Sequence, residues 1–585
     1  MKKFLSVLLA LCMSVVSFGG AALAEATTAA DSVIIGKIYT ADDTLGTVEA
    51  VAVKDGVIVY AGDEAGARAL ADDSTEITEV PEGQMVMPGF IDGHTHVTNM
   101  QLTNMMVLFT TDDHLQDYID KFKAYMAANP DMPIYMGKGW INSSFENDCP
   151  TADILDELCP DKPVAMLSSD NHSLWCNTAF MQLMGVTDDM ADPEGGKVER
   201  KADGTPNGCF RETAMAVVAG PVLALLSLSP EINAANVRSA QQAYAAMGYT
   251  SYLEIMVNNQ EEPWITTAID VYEELDKAGE LTLYTQGGFV INNTDDAMEL
   301  LDKAIEYKNS TAGGMFELTT VKIFMDGVIE GSTAYLSEPY ANRDDGYCGE
   351  SRWPDETALD KLTQIIIKAN QAGLTVHFHS MGDQATHDAL DCIQRAYEEI
   401  GQPVLDARNA LTHLQVISTE DMERMNTLNV MAVVNDWGCK QKGFFEETEV
   451  KFLGEERANN EYPYKSFLNA GVHTSFATDF GGSFLVDTIY ALHVFVTRAQ
   501  DNDPAHVLNA DECFTMDEAL KLMTSGGAYQ LKSENSFGTL AVGMQADLII
   551  LSRDMLTVSN DQILGTKVLK TMSDGKWVYD AAAAN

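Results

Sequence analysis

Apolar positions along the chain fall into short runs with two different periods. Between Ser32 and Val80 the runs Val33-Ile34-Ile35, Val51-Ala52-Val53 and Val57-Ile58-Val59-Tyr60 are strand-like, and Asp55-Gly56 between the last two is a hairpin turn signal. The far end answers with residues 546–551 and with residues 568–579, which turn at Asp574-Gly575. Both ends of the chain therefore read as antiparallel β structure. The matched hairpin signals predict that residues 30–86 and 535–582 join into one small β-sandwich subdomain.

The stretch between them alternates strand-like and helical periods. Residues 374–379 (Leu-Thr-Val-His-Phe-His) form a strand-like run followed by Gly382-Asp383; Ala389, Ile393, Ala396, Tyr397 and Ile400 then recur at the spacing of one helical face. Residues 409–413 precede a helix-capping signal at Ser418, and the runs 430–434 and 473–479 continue the beat. Repeated strand–helix units imply a parallel sheet, and the simplest closure is an eight-stranded (β/α)8 TIM-like barrel, an α/β fold, over residues 87–534. Such a barrel needs about 250 residues. The chain has 585, which leaves room for an insertion after the first barrel strand, at residues 100–220.

Composition then narrows the partners. The apolar fraction of 46% is ordinary, but the formal charge of -50 is not. A surface this acidic repels nucleic acid and anionic membranes, so neither is expected as a partner. A small-molecule substrate is, and homo-oligomerisation stays open. At the N-terminus, Lys2 and Lys3, the apolar residues 4–18 and the small-residue site Ala22-Leu23-Ala24 read as a signal peptide over residues 1–24. The mature chain is expected to begin near Glu25, to be secreted or extracytoplasmic, and to have no membrane association after signal removal. Lipid anchoring through Cys12 is the weaker reading, because Leu11 is large where lipoprotein processing prefers a small residue. The eight cysteines beyond the signal fit no zinc-knuckle spacing.

The chemistry lies where these runs end. Phe90 and Ile91 lead into His94 and His96, which share one face of a strand. Lys322 lies in the run 318–327, His379 and His413 end two further runs, and Asp479 ends another. Taken singly, His413 reads as a core histidine, Asp479 as a helix N-cap and Lys322 as an amine snorkelling out of a strand. Six ionisable groups at strand ends, in a chain with 11 histidines, point instead to a metal site. His377 and His379 share a face, so periodicity alone does not choose between them.

The order of these residues resembles the amidohydrolase superfamily. Residues 88–96, 376–383 and 543–548 resemble, more narrowly, amidohydrolase family 3, the branch that includes N-substituted formamide deformylases. Gly139-Trp140, Pro150-Thr151, Leu155-Asp156, Asp170-Asn171-His172, Asn177, Gly208 and Glu212 extend the likeness over nearly the whole mature chain. Departures occur at Asn171, at Thr412 before His413, at Val328 after Asp326-Gly327, and at Phe480-Gly481-Gly482 after Asp479. None removes a proposed ligand, so they bear on substrate more than on metal.

The resemblance implies that His94, His96, His379, His413 and Asp479 hold one or two divalent ions, zinc before manganese, iron or nickel. It further implies that Lys322 is carboxylated and bridges two ions, and that His377 lies outside the ligand set. The implied reaction is hydrolysis of an amide or related non-peptide C–N bond, in an N-formyl, N-acyl, carbamate or cyclic amide compound, by metal-activated hydroxide. Asp479 would take the proton of the nucleophile and deliver it to the leaving amine, and His172 would contact substrate or oxyanion. Two other readings compete: a mononuclear deaminase of the same superfamily, and a non-catalytic exported binding or regulatory protein. Such deaminases place a glutamate where this chain has Gly382, and every ligand position here is filled.

Overall fold

The computed structural model describes residues 29–97, 106–110, 113–130, 132–145, 149–169, 173–193, 196–212, 214–215, 217–218, 230–258, 268–401, 406–480 and 487–583. The chain opens with five strands, β1 (Ser32–Tyr39), β2 (Thr47–Lys54), β3 (Val57–Gly62), β4 (Glu76–Glu79) and β5 (Met85–Pro88). After β5 it turns straight into β6 (Phe90–Thr95), the first strand of the barrel.

Six strands then form a sheet of their own: β7 (Met106–Leu108), β8 (Tyr135–Trp140), β9 (Val164–Ser168), β10 (Ser173–Cys176), β11 (Gly196–Arg200) and β12 (Pro206–Glu212). The order is β11-β12-β10-β9-β8-β7, parallel from β7 to β9 and antiparallel beyond. Trp140, Phe145 and Trp175 pack edge to face in a core beneath it. The insertion therefore has its own hydrophobic cluster.

The barrel resumes with β13 (Tyr249–Asn258), β14 (Tyr284–Val290), β15 (Phe316–Phe324), β16 (Thr375–Ser380), β17 (Ala410–His413), β18 (Met431–Val434) and β19 (Thr474–Phe476). Together with β6 these make an eight-stranded sheet, every neighbouring pair parallel, with helices between successive strands. The helix Asp383–Ile400 buries Ala389, Ile393, Ala396 and Tyr397 on one face and ends at Gly401, whose φ of 80° is the left-handed cap that glycine adopts without strain. Hydrogen bonds from Asp479 N to His94 O (2.9 Å) and from His96 N to Phe480 O (2.7 Å) join the two ends of the sheet. Buried Asp92 reinforces that seam, accepting from Thr478 N at 3.0 Å, Thr478 Oγ1 at 2.5 Å and Tyr244 OH at 3.1 Å.

The chain returns through β20 (Leu548–Leu551), β21 (Val568–Ser573) and β22 (Lys576–Asp580) to the first sheet, whose order is β22-β21-β20-β5-β1-β2-β3, with β4 on β1. Ile34, Val51, Ile58, Val86, Leu548 and Ile550 are buried against one another between the two chain ends. The two Asp–Gly turns touch: a Cβ at Gly575 would lie 2.6 Å from Gly56 Cα, so the contact requires glycine there. Among the described residues no helix is long and apolar enough to cross a membrane. The proposed signal, residues 1–24, lies outside the described residues.

Candidate metal centre

Parallel strands deliver their side chains to one end of the barrel, and there the sequence has placed its titratable groups. On β6 and just beyond it, His94 and His96 each bring Nε2 to 3.2 Å from Asp479 Oδ1. Asp479 reaches them because its backbone turns sharply after β19, with φ at 53°. His413, at the end of β17, has φ 75°. A non-glycine residue in this region costs about 1–3 kcal/mol and persists where surrounding structure imposes it. Here it aims both side chains at the same point: ligand atoms of His94, His413 and Asp479 all lie within 4.8 Å of one another.

The outer hydrogen bonds decide which ring nitrogen faces that point. Asn435 Nδ2 donates to Ala477 O (3.0 Å), so its Oδ1 accepts from His413 Nδ1 (2.9 Å) and His413 Nε2 carries a free lone pair. His379 Nε2 donates to Gly327 O (2.9 Å), which leaves Nδ1 free, and its ring centroid is 4.7 Å from that of His413. His94 Nδ1 meets His377 Nε2 at 2.9 Å. Trp437 stacks on the His413 ring at 5.2 Å with an interplanar angle of 7°.

Lys322 is in register with His377 of β16 and with Val290 of β14. It is buried, with Nζ 4.8 Å from the Phe324 ring centroid, and no carboxylate among the described residues lies within ion-pair distance. Burial, opposed by Asp479 and aided by Arg352, lowers its amine to about 7. Burial also holds the imidazoles of His94, His377 and His379 well below the usual histidine value and lowers His413 to about 4. Burial works to raise Asp479, yet hydrogen bonds from His94 and His96 keep its carboxyl well below the usual range. Neutral imidazoles around an ionised carboxylate form a donor set that suits a divalent ion such as zinc.

The structure thus brings His94, His96, His413 and Asp479 to one point, with His379 beside His413 and Lys322 on the same stretch of barrel wall. His377 is also brought in, against His94. His172 lies outside the described residues. Sequence reasoning missed Asn435, which follows the apolar run of β18 as the first polar residue at a strand end. It also missed the role of Asp326, whose carboxylate accepts from Tyr335 N (2.9 Å), Met381 N (3.0 Å) and Gly382 N (2.8 Å) and so ties the loops after β15 and β16 together.

Comparison with known proteins agrees with this geometry. The profile of the amidohydrolase family matches residues 82–579. The protein YtcJ of Bacillus subtilis is 27% identical over 563 residues, covering 93% of this chain and 98% of its own. The N-substituted formamide deformylase of Arthrobacter pascens is 25% identical over 565 residues, covering 94% and 98%. A crystal structure of a metal-dependent hydrolase from Pyrococcus furiosus is 26% identical, covers 90% of this chain and 100% of its own, and superimposes with a TM-score of 0.69. A match over most of the chain, on a barrel that gathers these side chains at one end, leaves one conclusion: this chain belongs to the amidohydrolase family, in its third branch, and is a metal-dependent hydrolase.

Proposed function

We propose that the protein is an exported hydrolase of small N-formyl, N-acyl, carbamate or cyclic amide compounds, working with zinc held by His94, His96, His379, His413 and Asp479. The observation that carries this reading is the convergence of His94, His413 and Asp479 within 4.8 Å, with two further imidazoles beside them. When bound, divalent zinc supplies Lewis acidity, which makes water a nucleophile near neutral pH and polarises a carbonyl. Ionised Asp479 takes the proton of the attacking water at Oδ and passes it to the leaving nitrogen, so the amine departs neutral. His413 and His379, fixed by Asn435 and Gly327, keep their free nitrogens turned inward without carrying a positive charge.

Lys322 is the residue proposed to be carboxylated. Its amine is buried, unpaired with any carboxylate among the described residues, and lowered to about 7, so a large fraction is uncharged near neutral pH. An uncharged amine can attack carbon dioxide: the N–C bond forms as one C=O π bond opens onto oxygen, the nitrogen releases one proton to water, and the neutral amine becomes a carbamate whose anionic oxygens could ligate. His172 is proposed to contact the substrate.

Hydrolysis tests the reading directly. The purified mature protein, loaded with zinc or stripped by a chelator, is screened against the four compound classes. Turnover of at least one class that vanishes on stripping and returns with zinc is expected. Turnover indifferent to stripping, or ammonia release from aminated heterocycles with no amide cleavage, overturns it. Export is read separately: the N-terminus of the protein recovered outside the cytoplasm should lie near Glu25.

A further inference from the structure

His94, His379 and His413 each have an outer partner, whereas His96 Nδ1 is buried without one, and one of those three partners is unusual. Metal-ligating histidines generally donate their second N–H to a carboxylate, carbonyl or water, which fixes tautomer and ring orientation. His379 uses the Gly327 carbonyl and His413 uses Asn435 Oδ1. His94 instead faces another imidazole, Nε2 of His377, at 2.9 Å, with ring centroids 4.9 Å apart and an interplanar angle of 51°. His377 is fully buried on β16, and its Nδ1 has no hydrogen-bond partner.

We propose that His377 is a positioning residue that accepts the Nδ1–H of His94 and thereby holds His94 Nε2 unprotonated and aimed at the metal. The proposal rests on the metal-centre reading above. The geometry assigns the roles. His94 Nε2 points at Asp479 Oδ1, 3.2 Å away, so a metal can reach His94 only through that atom. With a metal in place of the Nε2 proton that otherwise faces Asp479, the single proton of the neutral ring sits on Nδ1, and the acceptor in front of it is His377 Nε2. His377 must in turn carry its own proton on Nδ1, the atom without a partner. A leucine or phenylalanine at position 377 would leave the His94 proton without an acceptor in a buried site and let the ring adopt the other tautomer, with Nε2 protonated and closed to metal. The two histidines of the His377-Phe378-His379 run thus take different tasks, although strand periodicity puts them on one face.

The test uses zinc itself. Dissociation constants are measured by chelator competition for the wild type, His377→Phe, His377→Leu, His377→Gln and His94→Asn, together with the thermal midpoint of each metal-free protein. Glutamine offers an oxygen near the position of His377 Nε2, whereas the two apolar residues offer no acceptor. The proposal expects zinc affinity to fall by about 10- to 100-fold in the apolar variants. It also expects His377→Gln to recover most of that loss, and the affinity to change without following the metal-free thermal midpoint. Unchanged affinity in whichever apolar variant folds overturns it. So does a loss in His377→Gln as complete as in His94→Asn, which would make His377 a ligand. A wild type that binds no more zinc than His94→Asn fails the metal-centre reading itself, and His377 with it.

Discussion

Asp479 and His413 illustrate how much a single residue is asked to do here, since both accept a left-handed backbone to face the same point. Lys322 is proposed to be carboxylated, because as an ammonium it cannot ligate. Replacing it with alanine is expected to lower bound metal from about two ions per chain toward one or none and to abolish hydrolysis; added acetate or formate should restore part of it. Elemental analysis of protein prepared with bicarbonate, beside an activity assay, checks this. Asn435→Ala should weaken zinc binding by about 10-fold or more, because the Nδ1 proton of His413 loses its acceptor; chelator competition reads it. His94, His96, His379, His413 and Asp479 were legible in the sequence because each closes an apolar run at a strand end. Asn435 was not, since an asparagine after a strand reads equally well as a turn residue.

At the scale of elements, the alternating periods located the barrel strands and the helix Asp383–Ile400, where apolar residues recur at helical spacing. The insertion was legible only as a gap in that beat. Its sheet joins β7 to β8 in parallel and β10 to β12 across a long separation, and such pairings leave no local turn signal. The loop after β18 carries another feature invisible to periodicity: Glu449, closing the π-helix Phe445–Glu449, lies buried against Glu461. Burial first and mutual repulsion second raise the Glu449 carboxyl, while Gln415 Nε2 donates to Glu461 Oε2 at 2.8 Å. A carboxyl raised in the folded state keeps its proton there after the unfolded chain has lost it. It therefore subtracts stability as pH rises from 4.5, the usual glutamate value, toward the raised folded value. Glu449→Gln cannot ionise, so it should flatten that fall, by on the order of 2 kcal/mol between pH 5 and 8. Urea unfolding of the metal-free proteins at the two pH values measures it; equal slopes in wild type and variant would refute the assignment.

For the whole molecule, the decisive events join distant parts of the chain: β6 with β19, and β5 with β20. The hairpin signals at the two ends made the second joining legible. The first was legible only as the requirement that an eight-stranded barrel close. Asp92 stands at that closure with Thr478 and Tyr244, all buried. Asp92→Ala strands several buried donors and should cost roughly 3 kcal/mol or more, whereas Asp92→Asn, which keeps an acceptor, should lose less; urea midpoints compare them.

The central claim, that this end of the barrel is a metal centre, is tested most directly by anomalous diffraction from zinc-loaded crystals on either side of the zinc absorption edge. The account predicts anomalous density enclosed by His94 Nε2, His96 Nε2, His413 Nε2, His379 Nδ1 and Asp479, with added density on Lys322 Nζ. Density coordinated elsewhere, or none at these atoms in protein that hydrolyses its substrate, would contradict it.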